Sequence, residues 1–165
     1  MHQPDAEQLL LTLAEKIRPL ISDNTALVGI HSGGAWLAER LQSMLGADIP
    51  LGTLDISFYR DDFSRIGLHP QIKPSNIPFD VEGCHVILID DVLYTGRTAR
   101  AAMNELFDYG RPAKITLAAL VDRGGRELPI HAEVVGTTMQ IDPKQNLELV
   151  RDATGNFQLK LTGAA

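Results

Sequence analysis

The chain has 165 residues, 44% of them hydrophobic, and a formal net charge of −6. This length and apolar content suit one compact domain with its own core, and we expect that domain to span residues 1–165. The negative charge argues against generic binding to nucleic-acid backbones, since such proteins usually carry a strongly basic face or total. Cys84 is the single cysteine, which excludes an internal disulfide and, within one chain, a cysteine-based zinc cluster.

The N-terminus gives no sign of export. The segment MHQPDAEQLL lacks a basic region, and no apolar run in the chain approaches the roughly 20 residues that a membrane helix needs. We therefore expect a cytoplasmic protein with no membrane partner.

Helical and strand patterns alternate through the first third of the chain. Apolar residues spaced three and four apart over 9–17 predict an amphipathic helix. Residues 26–30 predict a buried strand that ends at the small-residue turn 31–34. A helix over about 35–45 and a strand over 50–59 follow.

Residues 60–83 separate this part of the chain from the next. The stretch is polar, contains three prolines and shows neither helical nor strand periodicity. Such a long stretch inside a compact domain is typical of a functional loop, and we expect a flexible lid here.

The alternation then resumes. Strands are predicted over 85–89, 114–121 and 131–138, a helix over 98–109, and a hairpin over 147–161. Strands alternating with helices predict an α/β fold with a mainly parallel, doubly wound sheet flanked by helices. Ligands bind such sheets at the carboxyl ends of the strands.

The strongest chemical signal follows the predicted strand 85–89. The sequence there reads Val86-Ile87-Leu88-Ile89-Asp90-Asp91-Val92-Leu93-Tyr94-Thr95-Gly96-Arg97-Thr98. Backbone N–H groups at a helix N-terminus bind anions, and glycine lets the backbone come close to them. The turn 95–98 is therefore predicted to bind a 5′-phosphate, with the threonine hydroxyls as extra donors.

Asp90 and Asp91 form the second half of this signal. Ionised carboxylates only accept hydrogen bonds, so the pair can bind the two hydroxyls of a ribose and lie near a divalent cation. In one other interpretation the acids merely end a strand and a threonine caps a helix, which leaves costly carboxylates without partners. In another, one acid is the phosphoacceptor of a receiver-like domain, which does not explain the Thr-Gly-x-Thr turn.

The segment resembles the phosphoribosyl-pyrophosphate (PRPP) signature of type I phosphoribosyltransferases. With Asp55-Ile56-Ser57-Phe58-Tyr59-Arg60-Asp61-Asp62 and the sequence 120–130, it is similar to the family of pyrimidine-operon regulators that are also uracil phosphoribosyltransferases. The resemblance runs from about residue 27 to residue 136. It implies a type I phosphoribosyltransferase fold with a small hood, Mg²⁺-dependent conversion of uracil and PRPP to UMP and pyrophosphate, and regulation of pyrimidine nucleotide biosynthesis by uridine nucleotides.

The resemblance also implies roles for particular residues. The sugar phosphate of PRPP or of a nucleotide would be bound by Asp90, Asp91, Val92, Leu93, Tyr94, Thr95, Gly96, Arg97 and Thr98. Asp90, Asp91 and Arg123 would serve catalysis, and the two acids would hold the metal directly or indirectly. The remaining implied sites are a pyrophosphate loop (His31, Ser32, Gly33, Gly34), a lid (Tyr59, Arg60, Asp61, Asp62) and a base pocket (Val121, Asp122, Arg123, Val135).

The implied partners are PRPP, uracil, UMP and UTP, with the pyr mRNA leader as a further candidate and a homodimer or larger homo-oligomer as the assembly. A basic patch for a polyanion and an ordinary solvated face are both open for Arg97, Arg100, Arg111, Lys114, Arg123 and Arg126. Many family members carry a basic residue and an Arg-Gly pair in the pyrophosphate loop, whereas this chain reads His-Ser-Gly-Gly. A non-catalytic nucleotide sensor, or a phosphoribosyltransferase for a purine or orotate, is therefore the alternative.

Overall fold

A five-stranded parallel sheet forms the centre of the computed structural model, which describes residues 3–56 and 75–163. All neighbouring strands run parallel, in the order β2-β1-β3-β4-β5. The strands are β1 (Thr25–Ile30), β2 (Leu51–Leu54), β3 (His85–Leu93), β4 (Lys114–Asp122) and β5 (Val134–Thr138). The prediction of an α/β fold with a mainly parallel sheet is confirmed.

Helices cover both faces of this sheet within the described residues. They are α1 (Ala6–Ile17), which a 3₁₀ turn (Arg18–Leu20) extends, α2 (Gly33–Leu45) and α3 (Arg97–Phe107). Helix α1 begins where the Asp5 carboxylate accepts a hydrogen bond from the Glu7 N–H at 2.9 Å, an N-cap that satisfies a helix-end donor. No helix in the described part of the chain is long and apolar enough to cross a bilayer.

Strand β3 separates two apolar cores. Ile87 and Ile89 pack with α1 and α2 on one face, and Val86 and Leu88 pack with α3 on the other. This division follows from the pleat, because successive side chains of a strand point to opposite faces. The same alternation decides where the acids at the end of β3 lie.

The hairpin that the sequence predicted over 147–161 is formed by β6 (Asn146–Arg151) and β7 (Phe157–Thr162). It packs onto the face of the sheet that α1 and α2 cover. The Glu7 carboxylate ties it to the helices, accepting hydrogen bonds from the Phe157 N–H at 2.8 Å and from Arg40 Nη2 at 2.7 Å. The hydrogen bonds from Arg40 lower the pKa of Glu7.

Several boundaries differ from the predictions. Strand β3 continues to Leu93 because Asp90 and Val92 stay in register with β4, so the acid pair lies inside the strand rather than after it. The C-terminal part of the predicted lid contacts the sheet: Asn76 exchanges two 2.8 Å backbone hydrogen bonds with Thr53, and Val81 is fully buried. Strand β2 ends at residue 54, and β5 begins at residue 134 rather than 131.

Candidate functional site

A cleft of about 120 Å³ opens at the carboxyl end of β3. Seven of the nine residues predicted for the sugar phosphate line it, and Asp91 and Arg97 do not. The lining residues are Asp90, Val92, Leu93, Tyr94, Thr95, Gly96, Thr98 and Ala99. One carboxylate, two threonines and a helix N-terminus therefore meet around one small space, whereas the motif predicted that both carboxylates would lie there.

The connection from β3 into the first two residues of α3 (residues 94–98, hereafter the phosphate loop) is the segment that the sequence predicted to bind a phosphate. Gly96 has a φ of 95°, a left-handed conformation that favours glycine, and it precedes the first residue of α3. The Arg97 N–H donates to the Thr95 hydroxyl at 3.2 Å. Since the first N–H groups of a helix have no acceptor within the helix, the start of α3 can offer donors to a phosphate.

Asp90 and Asp91 lie on opposite faces of the sheet. Asp90 is 6% exposed and lines the cleft on the α3 side. The Asp91 carboxylate lies against Gly33, at the start of α2 on the other side. The two acids therefore do not share one set of ribose hydroxyls in this structure; each faces a different strand-to-helix connection.

The predicted pyrophosphate loop (residues 31–34, hereafter the pyrophosphate turn) has only two residues, His31 and Ser32, outside regular structure. The peptide bond between His31 and Ser32 is cis, and Gly33 and Gly34 already belong to α2. A Cβ on Gly34 would overlap the Ile89 carbonyl oxygen, and one on Gly33 would overlap the Asp91 carboxylate. The glycine pair thus lets the start of α2 lie directly against β3, which brings this turn beside Asp91.

The residues predicted for the base pocket lie along β4 and β5. Val121 is fully buried, and the Val135 carbonyl accepts a hydrogen bond from Lys16 Nζ at 2.8 Å. Arg123 is 8% exposed, and its terminal nitrogens donate to the carbonyls of Gln145 at 3.0 Å and Asp142 at 3.2 Å. Its guanidinium lies 4.0 Å from the centre of the Tyr94 ring, so it connects the phosphate loop with the chain that leads to the hairpin.

Arg126 contacts both the end of β4 and the phosphate loop, whereas the sequence alone indicated only a basic patch or a solvated face for it. Its Nη2 and Nη1 bind the Asp122 carboxylate at 2.6 and 3.0 Å, and Nη1 also donates to the Tyr94 carbonyl at 2.9 Å. The hydrogen bonds from Arg126 hold the pKa of Asp122 below its ordinary value. The end of β4 and the phosphate loop are therefore linked by one guanidinium.

The chain is similar to known proteins over nearly all of its length. Residues 2–150 match the family model described as a phosphoribosyl transferase domain. The chain belongs to the phosphoribosyltransferase family. A protein of Pseudomonas paraeruginosa named Bifunctional protein PyrR is 48% identical over 100% of this chain and 99% of its own length. A protein of Nitrosococcus oceani with the same name is 60% identical over 75% of this chain and 71% of its own.

Solved structures agree with this membership. The purine phosphoribosyltransferase from Pyrococcus horikoshii Ot3 has 27% sequence identity and a TM-score of 0.62, over 81% of this chain and 82% of its own. The type I phosphoribosyltransferase fold and the family resemblance that the motif predicted are both confirmed.

The carboxylates of this phosphoribosyltransferase fit a divalent cation that is bound jointly by the protein and by the phosphates of the substrate. In the described residues no three His, Cys, Asp or Glu side chains come together as a metal site, and the two acids predicted to hold the metal face apart. Mg²⁺ is usually bound by one or two carboxylates together with substrate phosphates. Asp91, beside the pyrophosphate turn, and Asp90, in the cleft, are the carboxylates that could serve in this way.

Two further predictions concern the surroundings of the cleft. The predicted lid residues Tyr59, Arg60, Asp61 and Asp62 lie outside the described residues. Of the six cations considered for a basic patch, Arg97 pairs with Glu127 at 2.9 Å, and Arg123 and Arg126 are bound to carbonyls and to Asp122. Half of that set is therefore bound to groups of the same chain.

Proposed function

We propose that this phosphoribosyltransferase transfers the ribose 5-phosphate group of PRPP to uracil, giving UMP and pyrophosphate, and that uridine nucleotides in the same cleft regulate pyrimidine nucleotide biosynthesis. The observation that carries the proposal is the cleft itself, where Asp90 faces the phosphate loop in a chain that aligns end to end with a PyrR protein. PRPP, UMP and UTP share a ribose 5-phosphate group. In this proposal the same cleft binds that group in substrate and effector alike.

Each part of PRPP has a corresponding group in this arrangement. The phosphate loop would bind the 5′-phosphate, and Asp90 would accept hydrogen bonds from ribose hydroxyls. The pyrophosphate turn would bind the leaving pyrophosphate through backbone N–H groups. Uracil would enter from the side of Val121, Asp122 and Val135.

Catalysis in this scheme depends on charge and position. When pyrophosphate departs, positive charge develops on the ribose ring, and the buried carboxylate of Asp90 lies where it would stabilise that charge. Magnesium, when bound with PRPP, would neutralise charge on the leaving pyrophosphate. The loop that begins at Tyr59 is proposed as the lid that excludes water, and Arg123 supports the reaction by holding Tyr94.

Pyrophosphate release with PRPP, Mg²⁺ and a panel of bases (uracil, orotate, hypoxanthine and guanine) tests the proposal. Uracil should be the preferred base, and Asp90→Asn in the cleft and Asp91→Asn beside the pyrophosphate turn should each abolish turnover. Asp48→Asn, at an exposed position between α2 and β2, is the matched control and should keep it. No turnover with any pyrimidine base would sink the catalytic half of the proposal.

Two alternatives are separated from this proposal by the same assays, although the relatives named Bifunctional protein PyrR favour neither. Because the pyrophosphate turn has no lysine or arginine, one alternative is a nucleotide sensor without turnover; calorimetry with UMP and UTP would then show binding in a protein that releases no pyrophosphate. The other alternative is a purine or orotate substrate, which the base panel separates from uracil.

The regulatory half needs its own measurements. We propose UMP and UTP as the effectors, a homodimer or larger homo-oligomer as the working form, and a pyr leader RNA as the candidate target. A gel-shift titration of that RNA with and without UMP, run beside sedimentation of the protein, tests target and assembly together. Absence of any shift would direct the search to another regulatory partner.

A further inference from the structure

One segment, residues 126–130, holds the phosphate loop along most of its length. The Glu127 and Leu128 N–H groups donate to the Thr95 carbonyl at 2.9 and 3.2 Å. Ile130 packs so closely on Gly96 that a Cβ there would lie 2.9 Å from the Ile130 Cγ1. The conformation of the loop that would bind phosphate therefore depends on this neighbouring segment.

Arg126 connects that loop to the next strand. Its single guanidinium binds the Tyr94 carbonyl, both oxygens of the Asp122 carboxylate and, through Nε, the Ile130 carbonyl at 2.9 Å. The side chains of Arg126 and Asp122 are only 25% and 17% exposed, so water competes weakly for these groups. The planar guanidinium can make all of these hydrogen bonds at once because its N–H donors point in fixed directions. The single ammonium group of a lysine cannot.

We infer that Arg126 is a positioning residue for phosphoribosyl transfer, which sets the phosphate loop against the base end of the site at Asp122. This inference rests on the proposed function. A misplacement of about 1 Å between reacting groups can cost on the order of 100-fold in rate. The pyrophosphate turn is held differently, by the packing of Gly33 and Gly34 on β3. Arg126 therefore matters for one end of PRPP and not for the other.

The two ends of PRPP can be tested separately with ribose 5-phosphate and pyrophosphate as ligands. In Arg126→Lys, the dissociation constant of ribose 5-phosphate should rise about 10-fold, about 1.4 kcal/mol, while that of pyrophosphate stays unchanged. The rate of UMP formation should fall by about 10- to 100-fold. Methylguanidinium added to Arg126→Ala should restore part of the ribose 5-phosphate affinity, because it supplies the missing donors.

Arg151→Lys is the matched control, since Arg151 stacks on Trp36 at the hairpin and has no part in the phosphate loop; both affinities should stay as in the wild type. Equal weakening of both ligands by Arg126→Lys, together with a lower melting temperature, would reduce Arg126 to a general stabiliser and overturn the inference. Unchanged affinity for ribose 5-phosphate would overturn it as well. A wild-type protein that turns over no pyrimidine base defeats the proposed function, but the two binding measurements still decide the role of Arg126.

Discussion

The phosphate loop and the pyrophosphate turn occupy equivalent places, each where a parallel strand passes into a helix at the carboxyl edge of the sheet. The phosphate loop is held by polar contacts from a neighbouring segment, with Arg126 bound to the Tyr94 carbonyl and two N–H groups bound to the Thr95 carbonyl. The pyrophosphate turn is held by close packing, with Gly34 against the backbone of β3.

The difference predicts how each region responds to change. Hydrogen bonds can be removed one at a time, and each is worth about 1 kcal/mol. A backbone packed on another backbone has no room to adjust, because a new Cβ meets atoms that belong to the central strand. Substitutions in the phosphate loop should therefore have graded effects, and those in the pyrophosphate turn should have abrupt ones.

Glycine replacements test this contrast with the largest expected effect. In Gly34→Ala, the new Cβ would overlap the Ile89 carbonyl oxygen and lie 3.1 Å from the Asp90 Cα, so the free energy of unfolding should fall by at least about 3 kcal/mol. In Gly96→Ala, the Cβ meets the Ile130 side chain at a φ of 95°, which should cost about 1–3 kcal/mol. Urea unfolding measures both, and a Gly96→Ala variant as unstable as Gly34→Ala would contradict the contrast.

Gly33→Ala should have the next largest effect, and it should lower activity more than stability. Its Cβ would overlap the Asp91 carboxylate and lie 3.0 Å from the Asp91 Cβ. Because these are side-chain atoms, whereas the new Cβ in Gly34→Ala meets backbone, folding should survive better than in Gly34→Ala. Displacement of that carboxylate should lower uracil turnover by about 100-fold. If the loss acts through Asp91, the Gly33→Ala/Asp91→Ala double variant should be no worse than Asp91→Ala alone.

Thr95→Val should have a smaller effect, confined to the phosphate end. The Thr95 hydroxyl accepts the Arg97 N–H at 3.2 Å and lines the cleft, and losing one such group is worth about 1 kcal/mol. The dissociation constant of ribose 5-phosphate should rise about fivefold and that of pyrophosphate should not change. Thr12→Val on α1 is the control, and equal weakening of both ligands by Thr95→Val would count against the division of the site into two independent ends.

Local pattern predicted much of this site. The apolar run before Asp90, the Thr-Gly-x-Thr turn and the alternation of strands with helices were enough to predict the parallel sheet and seven of the eight residues that line the cleft. These features depend on side-chain types that are adjacent in the sequence, where a spacing rule applies.

Contacts distant in sequence were not predictable in the same way. The separation of Asp90 from Asp91 required knowing that β3 continues to Leu93, which its pairing with β4 decides. The role of Arg126 depends on the Tyr94 carbonyl, 32 positions away. The one local signal was the pair of opposite charges at Asp122 and Arg126, on either side of two glycines. In a helix, residues four apart lie side by side, but the same spacing in a loop does not predict a contact.

The smallest expected effect is on the melting temperature at low pH, through the ion pair between Asp122 and Arg126. Arg126 and the Gly124 N–H donate hydrogen bonds to Asp122, which lowers its pKa in the folded protein. A depressed folded pKa contributes stability that is fully present above the unfolded value of about 3.9 and is lost as the pH falls through the folded pKa. Melting temperatures from pH 7 to about pH 2 should therefore fall below pH 4 more steeply in the wild type than in Asp122→Asn, which starts lower and declines less. Asp48→Asn should follow the wild-type curve, and parallel acid limbs for the wild type and Asp122→Asn would show that the pair with Arg126 adds nothing to folding.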